Sequence, residues 1–310
     1  MLSRIADNLF WAGRYIERAE ASARLINATG LLLLDLPDER DFHWHTLIEI
    51  MGAEAGFDAR YDAADETRVM DYLAMDRDHP GSIAASLIAA RENLRSARDH
   101  VPRELWEEIN ALHLFMAESA DVRRRVQRSQ VMDRIIRSAR IADGHINAGM
   151  SRDAAYDMLT LGIAIERADM TTRVLDVRTA DLLPQTSEAL PPYRNAQWIS
   201  VLKSLSAFQM YRRHVRSRVT GPSVVSFLLT DPAFPRSAWF CLKSAGDKLA
   251  RLPSPGPAKI QLARVERTVN GVDASRLSGE RLTHLLDRIQ SEIAALTEAI
   301  AARYFDGAHA

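Results

Sequence analysis

Gly13-Arg14-Tyr15-Ile16-Glu17-Arg18-Ala19-Glu20-Ala21-Ser22-Ala23-Arg24 recurs later in the chain as Gly162-Ile163-Ala164-Ile165-Glu166-Arg167-Ala168-Asp169-Met170-Thr171-Thr172-Arg173. Both copies share Gly, then Ile-Glu-Arg-Ala, an acid, and an arginine seven residues after the glutamate. The flanks agree in kind, Asn8 with Asp157 and Leu9 with Met158. An internal repeat of this kind says that the protein is built from two related halves. Around the first copy Ile5, Leu9, Ala12, Ile16, Ala19 and Ala23 recur at three- and four-residue steps, so residues 3–36 read as one long helix. Phe10, Trp11, Ala21 and Leu25 add apolar surface on other sides, which places this helix centrally.

Outward from the motif the helical period continues. Helices are expected at about 42–56, 66–75, 82–99, 102 onward, 122–143, 151–176, 196–218, 222–230, 235–252, 258–269 and 277–305. Gly144 and Gly149 are expected to end the 122–143 helix, and Ser151 to cap the next. No alternating strand pattern of useful length appears. The fold class is all-α, a bundle of about a dozen helices in two related halves, with the two Glu-Arg helices packed centrally. Residues 1–180 read as an N-terminal half holding both Glu-Arg helices, 181–197 as a proline-bearing linker, and 198–310 as a C-terminal half, together one compact domain.

Composition excludes more than it suggests. With 310 residues, 47% apolar and 26% charged, the chain has the make-up of a packed globular protein. A net charge of −1 gives no reason to expect nucleic acid or an anionic membrane surface as partner. Cys241 is the only cysteine, so no intrachain disulfide is possible, and a cytoplasmic setting is expected. Arg4, Asp7 and Arg14 argue against a signal peptide, and the Leu31–Leu34 run is too short to span a bilayer.

On a helix, positions 13, 17, 20 and 24 lie in one stripe. That stripe holds Gly13, Glu17, Glu20 and Arg24; its twin holds Gly162, Glu166, Asp169 and Arg173. It borders the apolar face, so the charges are partly buried and require partners. In an antiparallel pairing Glu17 would face Arg173 and Glu166 would face Arg24, with Arg18 and Arg167 meeting other neighbours. Two readings stay open. Glu17, Arg18, Glu20, Arg24, Glu166, Arg167, Asp169 and Arg173 either form an ion-pair network that fixes the register of two helices, or line a cleft for a charged substrate. A metal is not expected: neither copy has the histidine of a carboxylate-bridged site, and arginines in the stripe repel a cation.

Other features are weaker. Arg91, Arg95 and Arg98 share a helix side with Glu92 and Asp99, either a salt-bridged surface or an anion site. Arg236 and Ser237 stand at an expected helix start behind Phe234-Pro235, either a capped turn or an anion site. Residues 211–218 form a basic run without interleaved aromatics, which suits a solvated or docking surface. Trp239, Phe240 and Leu242 beside Cys241 suggest a buried structural thiol. No phosphate-binding loop or nucleophile elbow is present, so no cofactor is expected and any ATP chemistry would belong to a partner.

The opening residues Met1 to Glu20 resemble the alpha-E domain family, a bacterial all-helical family with a Glu-Arg signature. So do three further blocks: Ala90 to Asp99 with Trp106 downstream, Leu161 to Asp176, and Phe227-Leu228-Leu229 with Phe234 to Ser237. One departure is Ile163, where an arginine like Arg14 is expected. The resemblance implies partnership with circularly permuted ATP-grasp proteins and transglutaminase-like peptidases. It implies in turn a component of ATP-dependent amide or peptide bond formation, or of peptide modification. The alternative it leaves is a non-catalytic scaffold or adaptor for such a partner.

Overall fold

A computed structural model of the protein describes residues 2–34, 44–118, 124–176, 191–216, 218–274, 277 and 279–305. Among these residues there are fourteen α-helices and no strand. They are α1 (Ser3–Leu34), α2 (His45–Met51), α3 (Glu54–Asp58), α4 (Glu66–Met70), α5 (Ile83–Ser96), α6 (Arg103–Glu118), α7 (Arg125–Gly149), α8 (Ala154–Asp176), α9 (Pro191–Ser204), α10 (Phe208–Val215), α11 (Gly221–Thr230), α12 (Ala238–Arg251), α13 (Gly256–Asn270) and α14 (Gly279–Tyr304).

Local chemistry sets several boundaries. The expected 42–56 helix is two, because Gly52 adopts a left-handed φ of 62° and closes α2. Gly144 does not end α7, which runs to Gly149; a single glycine costs a helix about 1 kcal/mol and packing overrides it. Asp153, rather than Ser151, caps α8: its Oδ1 accepts from the backbone N–H of Ala155 and Tyr156. The expected 196–218 helix breaks between α9 and α10. Of the expected linker, 181–190 lie outside the described residues, while Pro191 onward already forms α9.

Each motif helix sits at the centre of its own four-helix group. Helix α1 packs on α5 and α7, with α6 against both; α8 packs on α12 and α14, with α13 against both. The two groups meet where α1 packs on α8. Helix α8 is buried on nearly every side, from Ala155 to Leu175, with Tyr156, Arg167 and Arg173 half-buried. The expected N-terminal half with both Glu-Arg helices thus gives way to one motif helix per group. Helix α14 turns its Leu286–Ile289–Ile293–Leu296–Ile300 stripe inward, as its period requires.

A second repeat accompanies the first. Asp76-Arg77-Asp78-His79-Pro80-Gly81-Ser82 precedes α5, and Asp231-Pro232-Ala233-Phe234-Pro235-Arg236-Ser237 precedes α12. Asp76 Oδ1 accepts from the N–H of Asp78 and His79, and Asp231 Oδ1 from Ala233 and Phe234. Ser82 and Ser237 each cap the helix that follows, and each hydroxyl donates to the carbonyl of its aspartate. Tyr72 stacks on His79 in the first copy, Phe227 on Phe234 in the second.

Candidate functional site

The glycines of the motif decide how the two centres meet. A Cβ on Gly13 would strike the carbonyl oxygen of Leu159, and one on Gly162 that of Phe10. Their absence lets the backbones of α1 and α8 touch reciprocally. Residues in contact keep nearly constant sequence separation: Phe10 and Arg14 lie at Gly162, Arg18 at Glu166, Glu17 at Arg167. The helices therefore run parallel, and the antiparallel pairing is corrected. Symmetry then brings each copy of Glu-Arg onto the other.

Arg167 donates to Glu17 Oε2 at 2.7 Å, and Arg18 forks onto Glu166 through Nε at 2.6 Å and Nη2 at 3.1 Å. The expectation that these arginines meet other neighbours is corrected as well. Each glutamate has a second arginine. Arg14 Nε donates to Glu166 Oε2 at 2.5 Å, and Arg14 Nη1 reaches Thr297 on α14 at 2.8 Å. The counterpart of Arg14 is Ile163, which cannot donate. Its place is taken by Arg236, which donates to Glu17 Oε1 at 2.5 Å and to Glu20 Oε2 at 2.8 Å. In the first copy the position of Arg236 is Gly81, so one arginine is lost and one gained across the two repeats. Thr171 fixes Arg236 by donating to its backbone carbonyl at 2.8 Å.

The arginines further along each stripe pair within their own helix. Arg24 donates to Glu20 and Ser206, and Arg173 Nε donates to Asp169 at 2.9 Å. Glu17 and Glu166 are 3% and 0% exposed, so both side chains are buried. Burial pushes the Glu166 carboxyl up, but Arg14 and Arg18 together overcome it and hold its pKa at about 2. Glu17 is lowered in the same way, with Arg167 and Arg236 outweighing burial.

The weaker candidates fall apart from this network. Arg91 donates to Asn110 and Glu92, Arg95 to Glu92, and Arg98 stands exposed beside Asp99, a salt-bridged outer face. Ser237 is a helix cap and Arg236 a network member. Burial raises the pKa of the Cys241 thiol to about 12, so it stays protonated and inert.

Two openings touch the ends of the network. A cleft of about 300 Å³ is lined by Arg173 with Glu49, Glu54, Asp176 and Gln290. A smaller groove of about 120 Å³ runs between α8 and α12 and reaches Arg167. Sequence reasoning missed Lys248 and Ser244 in this groove; the signal that could have found them is the repeated Asp-x-x-x-Pro-x-Ser block, which aligns α12 with α5.

Comparison with known proteins agrees with the motif. A family model described as a predicted alpha-helical domain with a conserved ER motif, Alpha-E, matches residues 1–305. The chain is similar to the uncharacterized protein Mb2597 of Mycobacterium bovis and the uncharacterized protein Rv2567 of Mycobacterium tuberculosis, 24% identical to each over 325 residues. The match covers 98% of this chain and 36% of each relative, so the chain spans about a third of their length. No solved structure matches.

Proposed function

This chain belongs to the Alpha-E family, and we propose that it is a helical scaffold whose Glu-Arg network locks two four-helix groups together beside a catalytic partner. The observation that carries this reading is the burial of Glu17 and Glu166, each occupied by two arginines. A carboxylate so held has its lone pairs committed and serves as a strut. The partner implied by the family is a circularly permuted ATP-grasp protein, with a transglutaminase-like peptidase as a further one. The process is ATP-dependent amide or peptide bond formation, or peptide modification. The greater length of the relatives suits a module that works next to other domains. A cytoplasmic setting suits the single cysteine, and no described helix is long and apolar enough to cross a membrane.

A second reading has one observation in its favour. Arg173 at the end of the second motif opens on the 300 Å³ cleft with Glu49, Glu54 and Asp176, which suits a substrate bearing both charges. The Glu17→Gln variant separates the two. A strut predicts a loss of about 3 kcal/mol or more in a denaturant titration, because two buried arginines lose their anion. Wild-type stability with lost activity of the reconstituted ATP-grasp system would overturn the scaffold and support the substrate site.

A further inference from the structure

The two motif helices differ at one place that their symmetry makes conspicuous. In the first copy Trp11 and Tyr15 stack on each other with centroids 5.6 Å apart. Arg14 lies over Trp11 at 5.6 Å and Arg18 over Tyr15 at 5.7 Å. The corresponding residues of the second copy are Thr160, Ala164, Ile163 and Arg167. Two large rings are thus replaced by small side chains, and the 120 Å³ groove stands where they would be. Among the described residues no ring covers Arg167 as Tyr15 covers Arg18. Because Arg236 occupies Glu17 Oε1, Arg167 reaches Glu17 through Nη2, and its buried Nε–H has no partner among the described residues. Arg18, by contrast, uses both Nε and Nη2 on Glu166.

The opposite wall carries a second cation. Lys248 on α12 folds back to donate to Ser244 at 2.8 Å, and both line the same groove as Arg167. Ser244 accepts that bond and keeps its own hydrogen to give. Burial, then the nearby Arg251, lowers the Lys248 pKa, against the opposing pull of Asp247 and Asp157. The other hydroxyls are already donating: Thr160 to the Tyr156 carbonyl, and Tyr156 to Asn147. Asp143 is the carboxylate of the lining, exposed on the solvent side. Counted with its partners, the network holds six arginines against four carboxylates.

We propose that this groove is a binding site for a small oxyanion, a carboxylate or phosphate group, held by the Arg167 guanidinium, Lys248 Nζ and the Ser244 hydroxyl. Its volume is below the roughly 300–1,000 Å³ of sites that enclose a whole drug-sized molecule, so it takes a terminal group or a small ion. The site shares Arg167 with the Glu17 pair, while Lys248 and Ser244 take no part in either reading of the buried glutamates.

The test is a titration of the full chain with inorganic phosphate and, separately, with glycylglycine, against chloride at matched ionic strength, read by thermal midpoint. Saturable stabilisation by either probe supports the site, and the probe that acts names the source of the oxyanion. Lys248→Gln, which touches no network carboxylate, should weaken apparent affinity by about tenfold. Ala164→Tyr, which restores the ring of the first copy, should abolish it. No saturable shift with either probe in the wild type, or equal shifts in wild type and both variants, would overturn the proposal.

Discussion

At the scale of single residues, the motif works by exchange: the glutamate of each copy is neutralised by the arginine of the other. The asymmetry at Ile163 tests this account. Arg236→Ala should leave Glu17 and Glu20 short of a cation and cost about 3 kcal/mol by chemical denaturation. Ile163→Arg, added to Arg236→Ala, should recover part of that loss, because position 163 is the counterpart of Arg14 in the repeat. A double variant no more stable than Arg236→Ala alone would show that the two arginines are not equivalent.

The pH response follows from the same pairs. The Glu166 carboxyl lies at about 2 when folded, below its ordinary 4.5. A lowered folded value means that its stabilising contribution is present above the unfolded pKa and is lost as pH falls between 4.5 and about 2. At about 1.4 kcal/mol per pH unit, that displacement represents roughly 3 kcal/mol. Thermal midpoints measured from pH 6 down to 2 should fall across that window in the wild type. They should fall less in Glu166→Gln, which starts lower and has no proton to take up there.

At the scale of the element, the central fact is the backbone contact of α1 and α8. Gly13→Ala or Gly162→Ala places a methyl group against a carbonyl oxygen of the facing helix, and neither backbone can yield alone. Each should cost about 1–3 kcal/mol, the range for overpacking, and should also weaken the arginine pairs that depend on the approach. Gly144→Ala in α7 is the control, since a Cβ there meets nothing and should be neutral or stabilising. Equal destabilisation at all three positions, measured by urea titration, would remove the close-approach account.

At the scale of the whole molecule, the protein is two four-helix groups joined through their motif helices. Residues 1–150 and 151–310, expressed as separate chains, should recombine one to one in size-exclusion chromatography, because each leaves a complementary set of buried charges and an apolar helix face. Introducing Glu17→Gln and Glu166→Gln together should weaken the recombination. Fragments that remain apart, or self-associate instead, would show that connectivity rather than the Glu-Arg exchange unites the groups.

The amino-acid sequence by itself determined the helices, the internal repeat and the central position of its two copies. These depend on local periodicity and on pattern, which a linear chain displays. It also exposed the glycines and the charged stripe, since a stripe is a property of one helix. Tertiary structure alone decided the rest. Whether Glu17 meets Arg167 or Arg173 depends on the relative direction of two helices, which no local signal encodes. The replacement of the missing arginine at 163 by Arg236 joins residues far apart in the chain. The oxyanion groove likewise arises from Thr160 and Ala164 on one helix and Lys248 on another, and only their packing brings the small residues opposite the cation.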